Sequence, residues 1–138
     1  LMGGTLVDDI LGLLKGTKTG YYPFPGVPVG HPTKLGGSPQ KIAADTKSMI
    51  AAGCAGVDLL AYRATEADPL ELIRACRGAT DKPVVVAGSI DSVERIAAIR
   101  EAGADLFTIG TAALDGSFSP RYGLLSNQLR QILDACRG

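Results

Sequence analysis

Lys82-Pro-Val-Val-Val-Ala-Gly-Ser-Ile-Asp-Ser-Val-Glu-Arg-Ile-Ala-Ala-Ile-Arg-Glu-Ala-Gly-Ala-Asp-Leu-Phe-Thr-Ile-Gly-Thr-Ala112 reads as strand, Gly turn, helix, strand, Gly turn. Val84 to Val86 is a continuous β-branched run, which suits a strand buried on both faces in a parallel sheet. Gly88-Ser89 stops it. Asp91, with Glu94 three positions on, has the spacing of a helix N-terminal capping box. Val93, Ile96 and Ala97 continue with helical periodicity to Gly103, a C-terminal stop. Leu106 to Ile109 is the second apolar run, and Gly110-Thr111 interrupts it. Two successive strands therefore end in a Gly beside a hydroxyl residue.

Glycine lets the backbone approach an oxyanion, and N–H groups at a following helix start point toward it, so the repetition reads as an anion cradle. Ser89 and Thr111 add hydroxyl donors. This arrangement resembles the phosphate-binding end of (β/α)8 (TIM) barrels of the ribulose-phosphate-binding, aldolase-like class. In those barrels the loops after strands 7 and 8 hold the substrate phosphate. The resemblance implies phosphate binding at Gly88, Ser89, Gly110 and Thr111, and a sugar-phosphate isomerase, epimerase or aldolase. The alternative is that these glycines only permit tight strand-to-helix turns, as in any parallel α/β protein.

The expected fold class is α/β, built of parallel (β/α) units, the C-terminal half of a TIM barrel. With 138 residues, a single (β/α) domain over 1–138 is expected, about half the roughly 250 residues of a whole barrel. The chain opens at Leu1 and runs directly into Thr5 to Lys15, read as a helix with Thr5 near its cap. A helix with no strand before it is an odd start for a (β/α) protein, so we expect a half-barrel or a truncated gene.

Fourteen basic and fourteen acidic residues cancel, which gives no electrostatic case for nucleic acid. No segment approaches the ~20 apolar residues of a membrane span, and the N-terminus does not read as a secretion signal. The expectation is a cytoplasmic enzyme with a small phosphorylated substrate, no nucleic-acid or membrane partner, no cofactor and no metal. Cys54, Cys76 and Cys136 have no CxxC spacing and read as reduced packing residues. A half-barrel exposes sheet edges and apolar surface, so a homo-oligomer is expected.

Thr17 to Phe24 is a candidate strand. Residues 22–37 are dense in Pro and Gly and read as a stiffened loop without lasting regular structure, on the active face of the sheet. That loop carries His31, the single histidine, with Thr33 and Lys34 beside it. Ser38-Pro39 is a cap and first-turn pair for a helix reaching Gly53, with Ile42, Ala43, Met49 and Ile50 on its apolar face.

Ala55-Gly-Val-Asp58 echoes Ala102-Gly-Ala-Asp105. The echo puts both aspartates at strand starts, the stability side of a barrel. At the far end of the same strand come Tyr62 and Arg63, where barrel chemistry is built. Arg63 suits an anion, and Tyr62 a hydrogen bond or proton transfer; a plain surface pair is the alternative. The candidate catalytic set is His31, Tyr62, Arg63 and Lys34, with Glu66 a weaker acid or base. Asp68-Pro69 caps the next helix, in which Leu72, Ile73, Ala75 and Cys76 form the buried stripe. Asp115 to Gly123 reads as a polar turn, and Leu124 to Leu133 carries helical spacing into a last helix ending at Gly138.

Overall fold

The computed structural model describes residues 1–121 and 123–137. Three parallel strands, β3 (Val57–Leu59), β4 (Val84–Val86) and β5 (Leu106–Phe107), lie side by side in that order. Between them run α3 (Pro69–Gly78) and α4 (Val93–Ala102), so each connection is a (β/α) crossover. The protein is an α/β structure of parallel units, consistent with part of a TIM barrel.

The β-branched run behaves as expected: Val84, Val85 and Val86 are all buried. Val57, Leu59, Val84 and Val86 pack with Leu72, Ile73 and Cys76 of α3 and with Ile96 and Ile99 of α4 in one core. Each fully buried aliphatic side chain there contributes about 1.5–3 kcal/mol of transfer free energy. On the other, inner face, the register sets Asp58 beside Val85 and Val85 beside Leu106.

The sheet extends beyond β3. The segment 21–24 accepts Ala55 N–H at Tyr21 O and Asp58 N–H at Pro23 O, both at 2.9 Å. On its other side, Tyr22 N–H donates to Leu1 O and Phe24 N–H to Gly4 O, again at 2.9 Å. The expected strand over 17–24 is thus reduced to a parallel bridge at Tyr22. Pro23 and Pro25 lack the donors that a full ladder needs.

Four local expectations need correction. α1 spans Val7–Leu14, and Leu6 stands at its cap position with no side-chain bond, so Thr5 does not cap it through its hydroxyl. The Pro/Gly-rich stretch contains a hairpin, β1 (Val27–Val29) against β2 (Lys34–Gly36), around a turn with a cis His31–Pro32 peptide. Pro28 is tolerated because its partner Leu35 turns its carbonyl outward, to Thr65 N–H at 3.0 Å. The cap of α4 is Ser92, whose Oγ accepts from Arg95 N–H at 3.2 Å, while Asp91 takes the Arg95 side chain instead. β5 stops at Phe107, although Thr108 N–H still reaches Val86 O at 3.0 Å.

The other helix signals hold. α2 is Pro39–Ala51 with Ser38 as cap, and Asp68 Oδ1 accepts from Leu70 and Glu71 N–H at 3.0 Å each at the start of α3. Such caps contribute about 1 kcal/mol apiece. Thr46 of α2 meets Cys76 of α3 at 3.4 Å, and Cys54 is also buried, whereas Cys136 is exposed. A short helix α5 (Thr111–Leu114) precedes α6 (Leu125–Arg137), whose C-terminal carbonyls at Ala135 and Cys136 accept from Arg100 of α4. The expected ends at Gly138 and the part of the polar turn at Tyr122 lie outside the described residues. No helix among the described residues is long and apolar enough to cross a membrane.

Candidate functional site

Parallel strands put their C-terminal ends on one side, and a cavity of about 450 Å3 opens there. Its walls are the loop after β4, with Gly88, Ser89, Ile90 and Asp91, and the segment after β5, from Thr108 to Ala112. Arg63 and Ser117 complete them. Gly88, Ser89, Gly110, Thr111 and Arg63 are therefore neighbours in space.

The loop after β4 turns through two consecutive left-handed residues, Gly88 at φ 80° and Ser89 at φ 59°. Glycine adopts that conformation freely, while a serine resists it. Gly88 also leaves room: a β-carbon there would stand 2.6 Å from Arg63 Nε. The Arg63 side chain consequently lies across the loop, and its Nη1 reaches the Thr33 carbonyl of the hairpin turn at 3.4 Å. Gly110 stands at the cap position of α5, where its carbonyl accepts from Ala113 and Leu114 N–H at 3.0 Å each, and Thr111 and Ala112, which begin the helix, line the cavity.

Asp91 is held by Arg95, whose Nη1 donates to Asp91 Oδ2 at 2.7 Å and to the Ser89 carbonyl at 2.5 Å. The Arg95 guanidinium carbon lies 4.7 Å from the centroid of the Tyr62 ring. Burial pushes the Tyr62 phenol up from its ordinary pKa, against the opposing effect of Arg95. Across the cavity mouth, Asp115 accepts from Ser117 N–H at 2.9 Å, and the hydrogen bonds from Ser117 lower its carboxyl pKa. Gln128 of α6 is buried and clasps both the N–H and the carbonyl of Ser119 at 2.8 Å, which secures the turn that carries Ser117.

The remaining expected residues stand apart from the cavity lining. Tyr62 is half-buried under Arg95, in the single 3-10 turn Ala61–Arg63 that follows β3. His31 is exposed in the hairpin turn and Lys34 is exposed in β2. Glu66 accepts from Gly37 N–H at 3.0 Å beneath the hairpin. Three polar lining residues lie outside the site expected from the sequence: Asp91, which reads there as a cap, Thr108 and Ser117. Thr108 was accessible by strand periodicity, because it lies two positions beyond the inward-facing Leu106.

The two echoed aspartates are not equivalent. Asp105 precedes β5, and its Oδ2 accepts from Arg77 Nη1 at 2.6 Å and from Val84 N–H at 2.8 Å, at the strand-start end as expected. Asp58 lies inside β3, level with Leu106 rather than with Asp105. One step of register sends a side chain to the opposite face. Asp58 is buried on the inner face with Oδ1 unpartnered among the described residues, and burial pushes its pKa up to about 6.

Comparison with solved structures finds similarity to the nitroalkane oxidase of Streptomyces ansochromogenes, at 21% identity and a TM-score of 0.52. The alignment covers 80% of this chain and 32% of that one, so this chain spans about a third of the length of that structure, and the likeness concerns the fold. Comparison with curated proteins finds no match. The profile of a family described as "Histidine biosynthesis protein", a TIM-barrel family, matches residues 16–119. That interval holds the parallel sheet, both crossover helices and every residue lining the cavity, and on it the chain belongs to the histidine biosynthesis protein family.

Proposed function

We propose that this chain supplies the phosphate-gripping end of a barrel enzyme acting on a small phosphorylated metabolite by isomerase or epimerase chemistry. The observation that carries this reading is the shared cavity, in which two Gly–hydroxyl segments face each other with the Arg63 guanidinium over one of them. A phosphate dianion is matched by backbone N–H groups, hydroxyls and a cation, and Gly88, Ser89, Gly110, Thr111 and Arg63 offer that set. Membership in a family of biosynthetic proteins supports an enzyme over a simple binding module.

Between the reactions, proton transfer is favoured over Schiff-base chemistry. A Schiff-base aldolase needs a lysine desolvated at a strand's C-terminal end. β3, β4 and β5 continue into Leu60, Ala87 and Thr108, and Lys34 is exposed on the hairpin. In this reading His31 and Lys34 act only when the hairpin that Arg63 tethers through Thr33 closes over the cavity, with His31 moving the proton. Tyr62 then serves beneath Arg95 rather than as an acid.

Titration with inorganic phosphate, followed by the backbone amide signals, tests the proposal. Saturable shifts centred on Gly88, Ser89, Gly110 and Thr111 are expected; unmoved signals at those four positions at high phosphate concentration overturn it. A second reading, a phosphate-binding piece that self-associates, is favoured by the apolar surface at Leu106, Leu125, Leu129 and Leu133, all exposed. Sedimentation across a concentration series separates the two: association that abolishes phosphate binding is incompatible with a working site in each copy.

A further inference from the structure

We infer that Arg95, seated on Tyr62, is a positioning residue for the anion loop: by holding the Ser89 carbonyl it turns the Ile90 N–H toward the cavity, as a donor to a phosphate-class anion. The inference rests on the phosphate reading above and concerns a residue outside the cavity lining.

Ser89 occupies a left-handed conformation at φ 59°, which a side-chain-bearing residue holds only under outside constraint. That constraint comes from Arg95, six residues on in the first turn of α4, whose Nη1 meets the Ser89 carbonyl at 2.5 Å. In a trans peptide the carbonyl and the following N–H point in opposite directions. Fixing the Ser89 carbonyl on Arg95 therefore fixes the direction of the Ile90 N–H, and Ile90 lines the cavity.

The same guanidinium engages Asp91 at 2.7 Å, so Arg95 also offsets the one carboxylate in the cavity wall that would repel an anion. Tyr62 provides the platform, with its ring centroid 4.7 Å from the guanidinium carbon. One short turn after β3 thus serves the loop twice: Arg63 lies over Gly88, and Tyr62 supports the arginine that grips Ser89.

The test is the phosphate titration, read amide by amide, on wild type, Arg95→Met, Tyr62→Leu and Tyr62→Phe, with melting temperatures taken without anion. Arg95→Met is expected to bind inorganic phosphate about tenfold more weakly, with the Ile90 response lost and the Thr111 response kept. Tyr62→Leu should weaken binding about threefold, and Tyr62→Phe, which keeps the ring, should restore it. Absent shifts in wild type remove the phosphate reading itself. Phosphate binding in wild type matched by an equal affinity and a responding Ile90 amide in Arg95→Met overturns the positioning role alone. So does a uniform loss of response at every loop amide that tracks the fall in melting temperature, because that is what a merely structural residue would give. If Arg95→Met does not fold, the Tyr62 pair decides, and equal affinity of Tyr62→Leu and wild type overturns the inference.

Discussion

Arg63 Nε lies 2.6 Å from the point at which a β-carbon on Gly88 would stand, so the cation crosses the loop only because residue 88 has no side chain. Gly88→Ala meets two penalties, displacement of Arg63 and a φ of 80° that alanine disfavours by about 1–2 kcal/mol. The expected outcome is a variant less stable by about that amount in urea unfolding. Its phosphate affinity should fall at least about tenfold, by titration of the amide signals.

Arg63→Ala removes the cation from the cavity and the hydrogen bond to Thr33. Phosphate binding should weaken about tenfold at low salt, with the difference from wild type shrinking as ionic strength rises. Hydrogen exchange in the hairpin, residues 27–36, should quicken in the same variant. Unchanged affinity at every salt concentration would remove Arg63 from the anion site.

Asp58 makes a pH prediction. Its pKa is raised to about 6 in the folded chain, above its ordinary value near 3.8, so the folded state holds the proton more tightly than the unfolded one. Its contribution is fully favourable below about pH 4 and is lost as pH rises through about 6, a change on the order of 3 kcal/mol. Asp58→Asn, which cannot ionise, should flatten that part of the stability profile and be the more stable protein at pH 7. Urea unfolding at half-unit steps from pH 4 to 7 checks both statements. Parallel profiles for variant and wild type would refute them.

Asp105 does different work. It joins Arg77 at the end of α3 to the Val84 N–H at the start of β4, and Arg77 also donates to the carbonyls of Thr80 and Lys82. Asp105→Ala should cost about 1–2 kcal/mol, mostly from the lost backbone acceptor, since the ion pair itself is partly exposed. Phosphate affinity measured well below the melting temperature should match wild type. A large affinity loss with intact stability would contradict the assignment.

What the chain determined by itself was local. The Val84–Val86 run, the Ser38-Pro39 and Asp68-Pro69 starts and the glycine stop at Gly103 act through neighbours a few residues away, so their signals sit whole in the sequence. The Gly–hydroxyl pairs were legible for the same reason, because a turn at a strand end needs glycine wherever it occurs. Where two local solutions compete, pattern alone misleads: Asp91 and Ser92 can each cap α4, and the pull of Arg95 on Asp91 leaves the cap to Ser92.

Tertiary structure decided the rest. Asp58 and Asp105 close the same four-residue phrase, yet a one-step difference in register sends Asp105 to Arg77 and leaves Asp58 buried on the inner face. Register depends on the neighbouring strands, which no phrase in the sequence encodes. Pro28 could enter a hairpin because Leu35 finds its partner at Thr65, thirty residues on. Arg63, Ser117 and the two glycine loops become one cavity only when parallel strands align their C-terminal ends, and Tyr62 stands outside that group with Arg95 of α4 lying on its ring. Side-chain chemistry is written residue by residue, but which groups share a cavity follows from crossovers that bring together segments tens of residues apart.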